Sequence, residues 1–221
     1  MYNEALFLSQ IGMILISVIC AKRLGREALL TLAIFLALFA NLFVLKQMTL
    51  FGLCVTCSDA YVIGHLLCLN LLQQQYGLNA AKQVTVLSFG AMLLFSLCSQ
   101  MHLSFMPSES DYAHAHYQAI LGITPRLLLA SLVTFYTVQQ LDLFLFRFLM
   151  KVWPHASWGA RSSTSLIISQ ACDTLLFTLL GLYGVVESWT SIFWMSFGIK
   201  CCIISVMTLL FPTRNISSYE I

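Results

Sequence analysis

Asp173, Gln170 and Thr174 sit near the middle of an apolar stretch, SSTSLIISQACDTLLFTLLGLYGVV (162–186). That stretch is long enough to cross a bilayer, which takes about 20 residues at roughly 1.5 Å each. A carboxylate at the centre of a membrane helix costs on the order of 2.5–3.5 kcal/mol on insertion scales, so it normally faces a polar cavity or a partner and marks a functional position. Ser162, Ser165, Ser169 and Asp173 follow one another at spacings of three and four and form one polar stripe on a helical wheel. Gln170, Thr174, Phe177, Gly181 and Gly184 form a second stripe beside it. Elsewhere, Gln139 and Asp142 stand at i and i+3 and share a helix face. Asp59, Asn70 and Lys200 also lie within apolar segments. Carboxylates, amides and one ammonium at membrane depth suit recognition of a small polar solute, or a buried ion pair between helices.

Composition sets the context for those residues. Of 221 residues, 59% are hydrophobic and 9% charged, against roughly 25% charged in soluble domains. The chain therefore reads as a single integral membrane domain over 1–221, all-α, with no basic block that would suit nucleic acid. The eight cysteines fall almost entirely in apolar segments and act there as small apolar residues. Cys54 and Cys57 form a C-x-x-C with no second pair to complete a zinc site, so no metal, no cofactor and no disulfide is expected. On the loop at 111–116, Asp111, His114 and His116 lack a fixed helical spacing and read as solvated residues rather than metal ligands.

Seven apolar segments position the polar groups, at 6–21, 28–45, 51–72, 84–101, 126–149, 163–186 and 190–211. The first is not a cleavable signal, because Glu4 precedes it, Lys22, Arg23 and Arg26 follow it, and no A-x-A site closes it. With the N-terminus outside, Lys22, Arg23, Arg26, Lys82, Arg147, Lys151, Arg161 and Arg214 fall inside, while Lys46 and Arg126 fall outside. That asymmetry supports seven spans with the C-terminus in the cytoplasm. Asn215-Ile-Ser217 matches a glycosylation sequon but falls on the inside. The third segment opens with FGLCVTCSDAY (51–61), rich in Thr, Ser and Cys. Irregular backbone at that depth must line a cavity or be buried in protein, so a broken or kinked third helix is expected, aimed at the same cavity as Asp173.

An ordered set of motifs carries a family resemblance. ANLFVLKQ (40–47), TCSDAYVIGHLLCLNLLQQQYGLNAAK (56–82), PRLLLAS (125–131), QQLDLFLF (139–146), W-x-x-R (158–161), SQACDTLLF (169–177) and the intramembrane Lys200 together resemble the queuosine-precursor transporter family, also called the vitamin uptake transporter family. The resemblance spans about 28–212, and the first helix is similar to the extra N-terminal span of longer members, ahead of a six-helix core. Shorter members carry an Asp before an N-E-x-Y-G-like run where this chain has Asn70 and QQQYG, so no acidic role transfers there. The resemblance implies import of queuine or its 7-deazaguanine precursors, for tRNA modification, across a bacterial inner membrane. It also implies a transporter rather than an enzyme; a homodimer is compatible with it.

A 7-deazaguanine presents two adjacent donors beside a carbonyl acceptor. A carboxylate accepts both donors, and a side-chain amide meets a donor and an acceptor together. Asp173, Asp142, Gln139, Gln140, Gln170 and Asn70 supply those groups, with Phe177, Tyr136 and Phe135 as aromatic faces for the base. Asp59 would suit a ligand amine. The plainer alternatives are an Asp173–Lys200 pair that only joins two helices, an Asp142 neutralised by Arg147, and a His65 that makes an ordinary polar contact. Arg126 and Arg161 read equally as headgroup anchors and as gate residues. The expected cavity is built by the third, fifth, sixth and seventh helices. No G-x-x-x-x-G-K-[ST] occurs, so the chain does not energise itself through a P-loop, leaving facilitated or ion-coupled transport. Rival functions are a membrane-embedded enzyme, against which no H-E-x-x-H or G-x-S-x-G occurs, and a non-catalytic subunit of a membrane complex.

Overall fold

The computed structural model describes residues 2–154 and 158–210. Arg214, the sequon at Asn215 and the end of the seventh segment lie outside them, as does the side chain of Ser162. The chain forms α1 (Tyr2–Leu24), α2 (Arg26–Phe43), a hairpin of β1 (Gln47–Leu50) and β2 (Leu53–Thr56), α3 (Asp59–Tyr76) and α4 (Leu78–Leu103). A short α5 (His114–Leu121), then α6 (Thr124–Val152), α7 (Trp158–Phe177) and α8 (Trp189–Leu210) complete it. The result is an all-α polytopic membrane bundle. Among the described residues five stretches are long and apolar enough to cross a membrane: Tyr2–Leu24, Arg26–Phe43, Asn79–Leu103, His114–Val152 and Thr164–Leu182.

Local chemistry sets the boundaries. Gly77 separates α3 from α4 at φ 85°, a left-handed conformation that suits glycine. Pro125 stands in the first turn of α6, where its missing N–H removes no helical bond. Asp111 Oδ1 accepts from the Ala113 and His114 amides at 2.7 and 3.2 Å, so this carboxylate holds the approach to α5. α7 does not end at Phe177 but runs on through one π-helical turn, Thr178–Leu182, a geometry often found at functional sites.

The irregular start of the third segment is a hairpin, not a broken or kinked helix. Gln47 pairs with Thr56 and Leu50 with Leu53 in an antiparallel ladder. Phe51 and Gly52 turn the chain with φ 49° and 81°, and two consecutive positive φ values are what a two-residue type I′ turn requires. The two strands pair with each other, and α1 takes up groups the ladder leaves over: Asn3 Nδ2 donates to the Thr49 carbonyl at 3.1 Å and Glu4 Oε1 accepts from the Phe51 amide at 3.2 Å, which suits backbone close to a membrane. Leu50 and Val55 are fully buried in the main core, and β2 packs on α8.

That core joins Ile14 and Val18 of α1 to Leu29, Ala33 and Leu36 of α2, Cys68 and Leu72 of α3 and Val84 of α4. Gly64 of α3 lets the helices approach: a Cβ there would collide with Ile14 and come within 2.9 Å of Leu36 Cδ1. Helix α1 packs chiefly on α2, α3 and β1. It is peripheral, and the remaining six long helices surround a cavity.

Candidate functional site

The cavity has a volume of about 430 Å³ and is lined from α2, α3, α4, α6, α7 and α8, with Thr56 and Ser58 from the end of the hairpin. Asp173, Gln170, Asp142, Gln139, Asp59, Phe177 and Lys200 all reach it. Asn70 does not. The cavity face of α3 carries Val62, His65, Leu66 and Leu69 at spacings of three, one and three; Asn70, about 100° further round, is exposed elsewhere. The wall also draws on α2 and α4, which widens the expected set of the third, fifth, sixth and seventh helices.

The four charged groups on the wall have different surroundings. Lys200 Nζ lies 2.5 Å from Asp173 Oδ2 and donates to Thr174 Oγ1 at 3.1 Å. The expected α7–α8 ion pair is therefore present, and its side chains are 11% (Lys200) and 30% (Asp173) exposed. Asp142 Oδ1 accepts from Ser165 Oγ at 2.7 Å and Ser169 Oγ at 3.0 Å. The serine stripe of α7 is thus the seam against α6, and Arg147 is exposed rather than buried beside this carboxylate. Asp59 begins α3, where the helix N-terminus favours a negative charge. Its Oδ1 accepts from Ser196 Oγ at 2.6 Å.

Three buried oxygens on the wall, Asp59 Oδ2, Ser88 Oγ and Thr134 Oγ1, have no hydrogen-bond partner among the described residues. Leaving such a group unmet costs about 1–3 kcal/mol, so a polar solute in the cavity would recover that cost. Phe89 and Phe135 meet edge to face at 5.1 Å on the same wall, and Phe177 lines it too. Tyr136, by contrast, is 67% exposed away from it. His65 makes the ordinary contact: its Nδ1 is 2.9 Å from the Ala33 carbonyl oxygen.

Sequence reasoning does not reach Ser88, Phe89 and Thr134. The signal that could find them is spacing: Thr85, Ser88, Phe89 and Met92 form one face of α4, and Ser131, Thr134, Phe135, Val138, Gln139 and Asp142 one face of α6.

At the hairpin end the cavity wall includes an apolar cluster. Val44, Leu182 and Ile192 line the cavity, and with Leu127 they form a cluster in which each residue is at most 2% exposed. The neighbouring end of the π turn is tied down by Arg126, which donates from Nε to the Leu180 carbonyl at 2.9 Å and from Nη2 to the Tyr183 carbonyl at 2.7 Å. Arg126 therefore braces α7 against α6. Chemically, the cavity combines an aromatic wall, amides and carboxylates at the scale of small-molecule sites, roughly 300–1,000 Å³.

A family model described as "Putative vitamin uptake transporter" matches residues 56–213. A protein of Bacillus subtilis (strain 168) named "Probable queuosine precursor transporter" is 30% identical over 183 residues, covering 81% of this chain and 80% of that protein. No solved structure matches the chain.

Proposed function

This chain belongs to the vitamin uptake transporter family, and we propose that the solute it carries is queuine or another 7-deazaguanine precursor of queuosine. It is a multi-pass membrane transporter; the substrate, the direction of movement and the orientation are the proposed part. One observation carries the reading: Asp59, Asp142, Asp173, Gln139, Gln170 and Lys200 line one cavity of about 430 Å³ beside an aromatic wall. The name of the Bacillus relative supplies the class of solute. In this reading Asp173 and Asp142 accept the paired donors of the guanine edge, Gln170 and Gln139 meet its donor and carbonyl, and Phe177 with Phe135 covers the ring face.

With the N-terminus outside, the hairpin faces outward and the apolar cluster at Leu182 and Ile192 is the outer seal. The cavity then delivers solute to the cytoplasm of a bacterium through its inner membrane. Movement down a gradient is sufficient where the base is trapped in tRNA, and the Asp173–Lys200 pair is a candidate for ion coupling. No reaction is assigned to the chain.

The test is uptake by cells unable to make the base, with queuosine in tRNA as the readout. Expression of the wild type is expected to restore queuosine at low external queuine or precursor, and Asp173→Asn to lower uptake at equal membrane expression. If the wild type restores nothing with any 7-deazaguanine, the substrate reading fails.

A further inference from the structure

The cavity wall is unevenly charged. Among the described residues lining it, Asp59, Asp142 and Asp173 are acidic and Lys200 is basic, so three carboxylates face one ammonium. Lys200 is in contact with Asp173 at 2.5 Å, and its charge also acts on Asp59 from a greater distance. Asp142 receives hydroxyls from Ser165 and Ser169. Asp59 is left with the least support: it is 6% exposed, one oxygen accepts from Ser196, and Oδ2 is buried with no partner among the described residues. A carboxylate held that far from water in a membrane bundle calls for a cation in contact with it, and Lys200 gives its hydrogen bond to Asp173 instead. The other two unpartnered oxygens on the wall, Ser88 Oγ and Thr134 Oγ1, can accept hydrogen bonds as well.

We propose that Asp59 is the seat of the protonated amine of the transported solute, so that the carrier selects a 7-deazaguanine with a cationic amine over the same base with a neutral substituent. A protonated amine is a compact charge with three donors when primary or two when secondary, as in queuine, and no acceptor. One donor satisfies Asp59 Oδ2, and hydroxyl oxygens of Ser88 and Thr134 are the acceptors the same wall offers to the others. A neutral substituent brings no charge to Asp59 and leaves the cavity with its excess of carboxylates. The inference rests on the 7-deazaguanine reading and adds to it the charge of the preferred solute.

Purified protein reconstituted in liposomes separates the two. Uptake of 7-aminomethyl-7-deazaguanine is compared with that of 7-cyano-7-deazaguanine, each at a range of concentrations. The wild type is expected to favour the amine by about tenfold or more in half-saturating concentration, the scale of one charge-assisted hydrogen bond. Asp59→Asn should bring that ratio close to one, while Asp59→Glu, which keeps the charge, retains a preference for the amine. Should Asp59→Asn fail to elute as monodisperse protein, Ser88→Ala and Thr134→Val carry the test with the charge in place, and each is expected to shrink the ratio. Equal uptake of both bases by the wild type, or a ratio that none of the variants changes, overturns the ammonium seat alone. Queuine is run as a third solute, and uptake of none of the three into wild-type liposomes overturns the 7-deazaguanine reading together with it.

Discussion

Lys200→Met is expected to destabilise the protein by about 3 kcal/mol and to abolish uptake, whereas exchanging the two charges, Asp173→Lys with Lys200→Asp, restores the fold without restoring transport. Removing one partner of a buried ion pair leaves the other charge uncompensated, at about 3–5 kcal/mol. The lower end applies because the Asp173 side chain is 30% exposed to the cavity. The exchange keeps one cation and one anion facing each other between α7 and α8 but moves the carboxylate to α8. If Asp173 also accepts the guanine edge, the ligand then meets an ammonium where it needs an acceptor. Melting temperature in detergent reports the fold and uptake reports the site. Recovery of both in the exchanged protein would reduce the pair to a helix clamp.

Leu182→Ala is expected to be the most disruptive change in the apolar seal. Leu182 is 1% exposed within the cluster of Val44, Leu127 and Ile192 and also lines the cavity. Truncating a buried leucine costs about 2–5 kcal/mol, more where the site cannot collapse. Here collapse is resisted, because Arg126 fixes the backbone carbonyls of Leu180 and Tyr183 on either side. The second consequence is a leak at the hairpin end. A cysteine placed at Ser131, on the cavity wall, should be labelled by a membrane-impermeant thiol reagent added outside intact cells several times faster in the Leu182→Ala background. Unchanged labelling would mean that the cluster does not seal the outer face.

The elements of the site differ in how far the sequence discloses them. Charges in an apolar segment must pair or face a cavity, so Asp173 and Lys200 point to each other from their positions in the chain alone. The serines at 165 and 169 follow helical spacing to Asp173, yet their partner is Asp142 across the α6–α7 seam, which spacing within one helix cannot indicate. Asn70 shows the limit of depth alone. One residue beyond Leu69, it leaves the cavity face, because rotation about the helix axis matters as much as height in the membrane.

The hairpin and the π turn are hidden for a different reason. Gln47–Leu50 and Leu53–Thr56 are short, and their apolar residues continue the runs on either side. Only Phe51-Gly52 marks the turn, and a two-residue signal is weak against a helical background. The widened turn at Thr178–Leu182 has no side-chain signature. The α4 wall escapes notice because serine and phenylalanine are ordinary in an apolar helix until a neighbouring helix leaves them at a cavity.

Equilibrium binding of radiolabelled queuine to purified protein, wild type against Ser131→Trp, addresses the cavity most directly. Ser131 lines the cavity without being fully buried, so an indole there should fill the space while the bundle keeps its melting temperature. Saturable binding to the wild type and its loss in the folded variant is the expected result. Undiminished binding to Ser131→Trp would place the solute somewhere other than this cavity.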